Sequence, residues 1–458
     1  MKFTRKILCI GAGYVGGPTM TMIAHKCPEY KVTVVDIDKN KIAQWNSDEL
    51  PIYEPGLSRI VKKARNQNLF FNGDIKEGIE ESDIIFVSVN TPTKTFGVGA
   101  GMAADLQYWE NTARDILKYA KSSKIIIEKS TVPVKTALTM EKILKSKNND
   151  IHFEVLSNPE FLAEGSAVKD LEKPDRVLIG SRETNQGLKA RKELVDLYAH
   201  WVPKNKIITT NLWSSELSKL ASNAFLAQRI SSINSISALC EKTDADITEI
   251  SKSIGTDTRI GHKFLKESIG FGGSCFKKDI LNLVYLCRYY ELHQVADYWE
   301  SVIKINEYQK QRFVLTMLDA MFNTLVKKRI CLFGFAFKAN TGDTRESPGI
   351  YIAKKLLEEK AELTITDPKA LENARLDLVK FDKYIHYIQD PYKAASGCDA
   401  IAIITEWDLY KDLDYQKIYK SMNKPAFIFD GRNILHHQKL FDLGFNVYPI
   451  GKAPLTHF

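Results

Sequence analysis

Long apolar runs and paired cysteines are both missing from this sequence. No stretch of its 458 residues approaches the roughly 18 consecutive apolar residues of a membrane-spanning helix. The first apolar run, residues 7–10, leads straight into a glycine turn, which argues against the longer apolar core of a signal peptide. The seven cysteines include no Cys-x-x-Cys pair and form no short framework, which favours a reducing compartment. We therefore expect a cytoplasmic protein that does not enter a membrane.

Basic runs, alone or interleaved with aromatic residues, are also missing, so the sequence does not predict nucleic-acid binding. The pair His436-His437 has no companion Cys, Asp or Glu at ligand spacing, so we expect no metal site there. A modest excess of positive charge is present, because 64 Lys and Arg stand against 56 Asp and Glu and give +8. The excess suits anionic ligands such as nucleotides, although a well-solvated basic surface also explains it.

Alternating strand and helix patterns organise the sequence. Strands are predicted at residues 6–10, 31–35, 84–89, 124–128 and 153–157, and again, from a second strand-then-glycine turn at residues 328–334, at 362–366, 400–405 and 426–429. Between the two groups, apolar residues recur at helical spacing from residue 214 to 242 without Pro or Gly, which predicts one long helix. We predict two Rossmann-like, doubly wound parallel-sheet α/β domains joined by this helix, with boundaries at 1–212, 213–324 and 325–458.

A glycine fingerprint follows the first predicted strand. Gly11 would allow a tight turn, Gly13 a close approach of the backbone to a pyrophosphate, and Gly16 close packing of helix on strand. Asp36 ends the next strand, where its carboxylate would accept from a ribose 2′-hydroxyl and repel a 2′-phosphate. Strand, glycines, helix, strand and acid occur in order, so we predict NAD rather than NADP. A merely structural glycine turn is the alternative.

Cys275 lies in a glycine-rich segment that precedes an apolar helical run. We expect Gly272 and Gly273 to form an open, exposed loop that permits close approach of a ligand, and a helix start beside Lys278 would favour the thiolate. Asp279, one helical turn further on, could relay a proton. The alternative is a buried cysteine that packs as a small apolar residue, as we expect for Cys287.

Polar residues at other strand ends and on the long helix are further candidates. Lys219 and Asn223 lie four residues apart and so project from one helix face, which also carries Glu216; an ordinary solvated salt bridge is the alternative. Glu160 and Thr131 each follow a predicted strand, so both could reach one cleft. The segment 89–93 also follows a strand and is either a cofactor loop or an ordinary Asn-Thr-Pro turn.

Six separated motifs, taken together, resemble one known family. They are Gly-Ala-Gly-Tyr-Val-Gly-Gly-Pro, Val-Asn-Thr-Pro-Thr, Glu-Lys-Ser-Thr-Val-Pro, Ser-Asn-Pro-Glu-Phe-Leu-Ala-Glu-Gly, Phe-Gly-Gly-Ser-Cys-Phe-Lys-Lys-Asp and Gly-Phe-Ala-Phe-Lys. In this order they resemble the UDP-glucose/GDP-mannose dehydrogenase family, and within it the UDP-glucose 6-dehydrogenases, most closely those of the animal type. The resemblance covers roughly residues 3–451.

The resemblance implies a four-electron oxidation of UDP-glucose at C6 to UDP-glucuronate, with two NAD⁺ and one water, through a thiohemiacetal and then a thioester on Cys275. It implies that Lys219 and Asn223 stabilise the developing oxyanion and that Asp279 lies near the lysine and the water. Glu160 matches the acid–base group of hydrolysis, with Thr131 positioning water.

The resemblance and the fingerprint together also imply two sets of binding residues. The cofactor set is Gly11, Gly13, Tyr14, Val15, Gly16, Asp36, Lys41, Val89, Asn90, Thr91, Pro92, Thr93, Ser130, Thr131, Glu164, Lys278 and Arg345. The substrate set is Glu160, Phe161, Leu162, Ala163, Glu164, Lys219, Asn223, Arg259, Phe264, Leu265, Lys266, Phe271, Gly272, Phe276, Phe337, Lys338 and Arg432. Arg259 matches an arginine that reaches the substrate of a neighbouring subunit, so we expect a homo-oligomer, either a dimer or a trimer of dimers.

Two other functions stay open at this point. One is a dehydrogenase of another nucleotide sugar, such as a UDP-hexosamine or GDP-mannose. The other is a redox-sensing NAD-binding protein without turnover, with Cys275 as its sensor. The presence of Lys219, Asn223 and Asp279 in addition to that cysteine argues against a sensor, which has no need of hydrolytic groups.

Overall fold

Two β-sheets, one of eight strands and one of six, organise residues 3–147 and 150–458, the part of the chain described by this computed structural model. Each sheet lies in its own unit. The first unit contains the residues up to Ser222 together with Leu281–Tyr290, and the second contains Asn223–Ile280 and Glu291–Phe458.

The first sheet has the order β3-β2-β1-β4-β5-β6-β7-β8. Its strands are β1 (Arg5–Ile10), β2 (Tyr30–Val35), β3 (Leu69–Asn72), β4 (Ile84–Val87), β5 (Lys124–Glu128), β6 (Phe153–Ser157), β7 (Val177–Ser181) and β8 (Ile207–Asn211). Pairing is parallel except between β6 and β7, which are antiparallel. All four side chains of β4 are buried, as in a parallel sheet covered on both faces.

Eight helices accompany this sheet within the described residues. They are α1 (Gly16–Lys26), α2 (Lys39–Trp45), α3 (Leu57–Ala64), α4 (Ile75–Glu81), α5 (Gln107–Tyr119), α6 (Thr136–Leu144), α7 (Ala167–Glu172) and α8 (Asn185–Tyr198), with a 3-10 turn at Lys204–Lys206. Helix α1 begins with two glycines and a proline, so its start packs closely on the sheet and on Trp45. The Trp45 ring stacks on Phe71.

The second sheet is parallel throughout, in the order β11-β10-β9-β12-β13-β14. Its strands are β9 (Arg329–Phe333), β10 (Glu362–Thr366), β11 (Ile385–Tyr387), β12 (Ala400–Ile403), β13 (Phe427–Asp430) and β14 (Asn446–Pro449). The remaining helices are α9 (Leu212–Thr243), α10 (Ile247–Thr256), α11 (Phe276–Tyr289), α12 (His293–Ala320), α13 (Pro348–Glu358), α14 (Leu371–Asp377), α15 (Pro391–Ala395), α16 (Tyr415–Ser421) and α17 (His437–Asp442), with 3-10 turns at Val379–Tyr384 and Asp408–Tyr410. Helices α9 and α11 contribute residues to both units.

The predicted fold is confirmed: there are two Rossmann-like α/β sheets and a long central helix, α9. In each sheet the strand order reverses beside the first strand of its unit, between β1 and β4 and between β9 and β12. Open α/β sheets bind ligands at such a reversal, outside the carboxyl ends of the strands. Within residues 3–147 and 150–458, none of the helices has the length and apolar character needed to span a bilayer.

Candidate functional site

The glycine fingerprint forms the turn between β1 and α1. Gly11 has a φ of +109°, and a Cβ there would lie 2.3 Å from the carbonyl oxygen of Ser88. A Cβ at Gly16 would lie 2.0 Å from the carbonyl oxygen of Gly11, so both glycines are required by the protein itself. A Cβ at Gly13, in contrast, would meet nothing within 4 Å among the described residues. Gly13 therefore borders open space of the kind that a dinucleotide pyrophosphate needs.

Asp36 follows β2 and is partly buried. Its carboxylate accepts hydrogen bonds from the N–H of Ala12 at 2.8 Å and of Asp38 at 3.0 Å, and from Lys41 Nζ at 3.1 Å. Partial burial disfavours the charged form, but these donors outweigh it and hold the pKa of Asp36 below its usual range. The predicted ribose acceptor is thus an ionised carboxylate at the carboxyl edge of the sheet, and Lys41 is its ion-pair partner.

Hydrogen bonds join the loops after β4 and β5. The Ser130 hydroxyl donates to the carbonyl oxygen of Val89 at 2.7 Å, and the Thr91 hydroxyl donates to that of Thr131 at 2.8 Å. Segment 89–93 is therefore more than an isolated turn, because it is fastened to the loop that contains Thr131. Contact between these residues and a cofactor stays a prediction.

Glu160 follows β6 and lies beside a lysine that the sequence analysis did not identify. Lys129 Nζ is 2.8 Å from its carboxylate, and the Phe161 N–H donates to it at 2.8 Å. Burial alone would raise the pKa of Glu160, but Lys129, Phe161 N–H and Lys219 outweigh burial and hold that pKa below its usual range. In the sequence Lys129 lies in the motif Glu-Lys-Ser-Thr-Val-Pro, directly after a predicted strand, but the motif gave it no role.

The interpretation of the Lys219 face as a solvated salt bridge is wrong. Lys219 and Glu216 are both buried on α9. Glu216 accepts hydrogen bonds from the N–H groups of Lys135 at 2.6 Å and Ala137 at 2.8 Å, at the start of α6. The Lys219 ammonium lies 5.1 Å from the centre of the Phe161 ring. A buried ammonium beside the loop after β6 suits a role in binding or catalysis.

Cys275 is an exposed thiol immediately before α11. The Asp279 N–H donates to the Cys275 carbonyl at 2.9 Å, which closes the first turn. The positive end of the helix dipole therefore lies next to the sulfur. The alternative of a buried packing cysteine is wrong for Cys275, whereas Cys287 is buried and burial raises the pKa of its thiol.

A buried polar group lies one turn beyond the thiol. The Asp279 carboxylate is almost inaccessible to solvent and accepts from Asn223 Nδ2 at 2.6 Å. Lys278 Nζ lies 2.9 Å from the other carboxylate oxygen. Asn223, Asp279 and Lys278 thus come together in the second unit near the start of α11, and their roles stay predictions.

The expectation that Gly272 and Gly273 form an open loop is wrong. Both are buried, and a Cβ at Gly272 would lie 2.6 Å from the carbonyl oxygen of Glu346. Gly273 has a φ of +84°, and a Cβ there would lie 3.0 Å from the ring of Phe337. These glycines allow the loops around Phe337 and Glu346 to press against the segment before Cys275.

Other predicted binding residues of the second unit have local partners. Arg432 is nearly buried and donates to the carbonyl oxygens of Ile404 at 2.7 Å and Phe337 at 3.2 Å. Arg345 forms a double hydrogen bond with Asp343, and Lys338 Nζ lies 5.5 Å from the Phe337 ring centre.

Arg259 is 87% exposed in its side chain and pairs with Asp257. The neighbouring loop is held by Arg229, which donates to the carbonyl oxygens of Ile260, Gly261 and Lys263 and which the sequence analysis missed. In this loop Leu265 is buried, whereas Phe264 and Lys266 are exposed. The Phe271 and Phe276 rings meet edge to face at 5.6 Å.

A dinucleotide-binding fold that carries an exposed thiol at the start of a helix defines the class of an NAD-dependent dehydrogenase with covalent chemistry. Sequence models of one family match three segments: its NAD binding domain at residues 5–202, its central domain at 213–308 and its UDP binding domain at 331–437. The chain therefore belongs to the UDP-glucose/GDP-mannose dehydrogenase family, and its cofactor is NAD.

Individual relatives agree with this assignment. The chain is 58% identical over 465 residues to UDP-glucose 6-dehydrogenase 5 of Oryza sativa subsp. japonica and to UDP-glucose 6-dehydrogenase 2 of Arabidopsis thaliana, covering 98% of this chain and 97% of each relative. A UDP-glucose dehydrogenase structure from Pyrobaculum islandicum has a TM-score of 0.86 at 29% identity, covering 99% of this chain and 98% of that one. Because relatives this similar are plant enzymes, the expected animal-type assignment is not supported.

Proposed function

We propose that this protein is an NAD-dependent UDP-glucose 6-dehydrogenase that converts UDP-glucose, two NAD⁺ and one water into UDP-glucuronate. The observation that carries the proposal is the exposed Cys275 thiol at the start of α11, one turn from the buried Asp279–Asn223 pair. A thiol in this position can hold an acyl group between two oxidations. Relatives with the same reaction in their names match 98% of the chain.

The residues of the first unit fit the cofactor. Gly13 borders the open space that a pyrophosphate requires, α1 offers its N-terminal N–H groups, and Asp36 offers a carboxylate to the ribose. NAD⁺, when bound, accepts hydride in each of the two oxidations. The loops around Thr91, Ser130 and Thr131 complete the proposed cofactor site.

Cys275 carries the substrate between the two oxidations. Its thiolate adds to the C6 aldehyde and forms a C–S bond, which gives a thiohemiacetal whose oxygen carries the developing negative charge. Lys219 and Asn223 donate to that oxygen. After the second oxidation the carbon is a thioester, and water breaks the C–S bond to release the acid and the thiolate. Thr131 positions this water, and Glu160 and Asp279 are the carboxylates available for proton transfer.

The remaining predictions of substrate contacts, assembly and location are part of this proposal. Exposed Arg259 reaches the substrate of a neighbouring subunit in a homo-oligomer, either a dimer or a trimer of dimers. Lys338 and Arg432 bind the nucleotide, and the loops 161–164 and 264–266 with Phe271, Gly272, Phe276 and Phe337 bind the sugar. The protein is cytoplasmic, and its three domains divide at residues 212 and 324.

A substrate panel tests this assignment against its nearest alternative. Purified protein is supplied with NAD⁺ and either UDP-glucose, UDP-N-acetylmannosamine or GDP-mannose, and NADH formation is followed. We expect the highest kcat/KM with UDP-glucose. A higher value with the hexosamine is the alternative suggested by the structural similarity to a UDP-D-ManNAc dehydrogenase from Pyrococcus horikoshii, which has a TM-score of 0.81 at 26% identity. That outcome would reassign the substrate and keep the reaction type.

A further inference from the structure

Lys129 is a buried lysine whose three ammonium protons all have partners. Its side chain is only 3% exposed, and it follows directly after β5. Nζ lies 2.8 Å from Glu160 Oε2, 3.1 Å from Asn158 Oδ1 and 3.3 Å from the Tyr198 hydroxyl. A lysine ammonium has three donors and no acceptor, so these contacts fix both its position and its orientation.

The partners of Lys129 are themselves anchored. The Tyr198 hydroxyl donates to Asn158 Oδ1 at 2.6 Å, and Asn158 Nδ2 donates to the carbonyl oxygen of Leu178 in β7 at 2.8 Å. The ammonium is thus held by α8 and by β7 through Asn158. This is a rigid support for a charge rather than a flexible surface pair.

Both carboxylate oxygens of Glu160 have polar partners. Lys129 contacts Oε2, which also accepts a long hydrogen bond from the Thr19 hydroxyl at 3.4 Å, and the Phe161 N–H donates to Oε1 at 2.8 Å. A buried carboxylate without a cation would take up a proton, because burial penalises its charge. An adjacent ammonium offsets the cost of burying the charged carboxylate.

The geometry points to Lys129 as a positioning residue of the reaction, which keeps Glu160 a carboxylate in one orientation so that Glu160 accepts the proton of the hydrolytic water. This inference rests on the proposed function. In the step concerned, a C–O bond forms from water to the thioester carbon and the C–S bond breaks. One water proton passes to Glu160, and the thiolate of Cys275 leaves.

The charges around Glu160 agree with this role. Lys219 of α9 also acts on the carboxylate, while Tyr198, Asp170 and Arg176 line the same cleft of the first unit. Lys129 is the cation in direct contact, and its own pKa is raised by Glu160 in spite of burial. Loss of the ammonium should raise the pKa of Glu160, so that the base is available only at higher pH.

The test compares Lys129→Gln with Lys129→Arg in the full-length protein. For Lys129→Gln we expect kcat with UDP-glucose to fall by about 10²-fold at neutral pH and the acidic limb of its pH profile to move up by about one to three units. Lys129→Arg, which keeps the cation, should retain the wild-type profile with a smaller loss. Lys206→Gln is a matched control, because it removes a partly buried lysine that donates to the carbonyl oxygen of Pro174.

Intact-mass spectrometry with UDP-glucose and NAD⁺ supplies a second measurement. Lys129→Gln should accumulate a covalent sugar adduct on Cys275 at neutral pH and clear it when the pH is raised, whereas Glu160→Gln should accumulate it at every pH. An equal loss of kcat at all pH values, without adduct, would overturn the role of Lys129 and leave it a packing residue. If Lys129→Gln does not fold, an acidic limb that moves up in Lys129→Arg by the roughly one to three units expected for loss of the cation would overturn it too. Absence of NADH from the wild-type protein would instead overturn the proposed function.

Discussion

Asp36 shows how a single side chain serves both the fold and the choice of cofactor. Its carboxylate holds the glycine turn through Ala12 N–H and neutralises Lys41. Both contacts leave it charged, and a charged group at this position opposes a 2′-phosphate.

Replacing Asp36 should therefore change the preference between NAD⁺ and NADP⁺. For Asp36→Ala we expect the ratio of kcat/KM for NAD⁺ to that for NADP⁺ to fall by about tenfold or more, the value of one charge-assisted hydrogen bond. Asp36→Asn is the control, since it keeps an acceptor for Ala12 and removes only the charge. Steady-state kinetics with both cofactors measure the ratio, and an unchanged ratio in Asp36→Ala would contradict the assignment.

Sequence reasoning found residues that carry a local pattern and missed those defined by distant partners. Asp36 and Cys275 were predicted because glycines and neighbouring strands or helices mark their positions. Lys129 was not predicted, because its partners Glu160 and Tyr198 are 31 and 69 residues away along the chain. A charge at a strand end gives no sign of whether it faces solvent or a buried carboxylate.

In the turn between β1 and α1, one glycine is needed for packing and another leaves space for a ligand. Gly16 has no room for a Cβ because of the Gly11 carbonyl, whereas Gly13 has open space around it. Gly16→Ala should lower the midpoint of thermal unfolding, because the helix must move away from the strand. Gly13→Ala should unfold near the wild-type midpoint but raise KM for NAD⁺. Thermal unfolding and steady-state kinetics distinguish the two effects, and an unchanged KM in Gly13→Ala would count against a pyrophosphate at this position.

A buried pair of carboxyl groups connects β5 to α9. Glu128 and Glu216 are both at most 2% exposed. Burial, followed by the charge of Glu216, raises the pKa of Glu128 well above its usual value, while Glu216 accepts two backbone N–H groups. The raised pKa of Glu128 favours one proton shared by the pair and carried by Glu128, next to Glu216 in α9, the helix that also contains Lys219.

This shared proton predicts how stability changes with pH. Above the ordinary glutamate pKa the unfolded chain releases the proton while the folded protein keeps it, so stability falls as pH rises, by about 1.4 kcal/mol per unit. Glu128→Gln keeps a donor to Glu216 without this dependence. We expect its thermal midpoint to exceed that of the wild type at pH 8 and the difference to shrink towards pH 5. Glu110→Gln, at an exposed pair with Arg114, is the control, and a lower midpoint for Glu128→Gln at pH 8 would refute the shared proton.

Strand prediction succeeded in the sheet centres and failed mainly at the edges. The runs at β5, β6 and β10 were predicted with the observed bounds, because they are short segments rich in apolar and β-branched residues. Four of the strands missed, β3, β8, β11 and β14, are the edge strands. Strand β8, for example, reads Ile-Ile-Thr-Thr-Asn and is partly exposed, so it lacks a buried apolar run that would mark it as a strand.

Assembly is the whole-molecule feature that the sequence predicts most specifically. If Arg259 acts on the substrate of a neighbouring subunit, two defective chains should complement each other. Measured alone, Arg259→Ala is expected to be poorly active and Cys275→Ala inactive. Random 1:1 mixing in dimers should restore about a quarter of wild-type activity, because each mixed dimer contains one intact site. Activity equal to the average of the two variants would show that Arg259 acts within its own chain.

The central claim, a four-electron oxidation through Cys275, is tested most directly by counting NADH per UDP-glucose consumed. Wild-type protein should form two NADH per sugar and release little free aldehyde, because the intermediate stays attached between oxidations. Cys275→Ser, measured in parallel, should lose net formation of UDP-glucuronate, because an oxygen ester is harder to form and to hydrolyse at this position. One NADH per sugar with free aldehyde, or undiminished acid formation by a Cys275→Ala variant, would contradict the account.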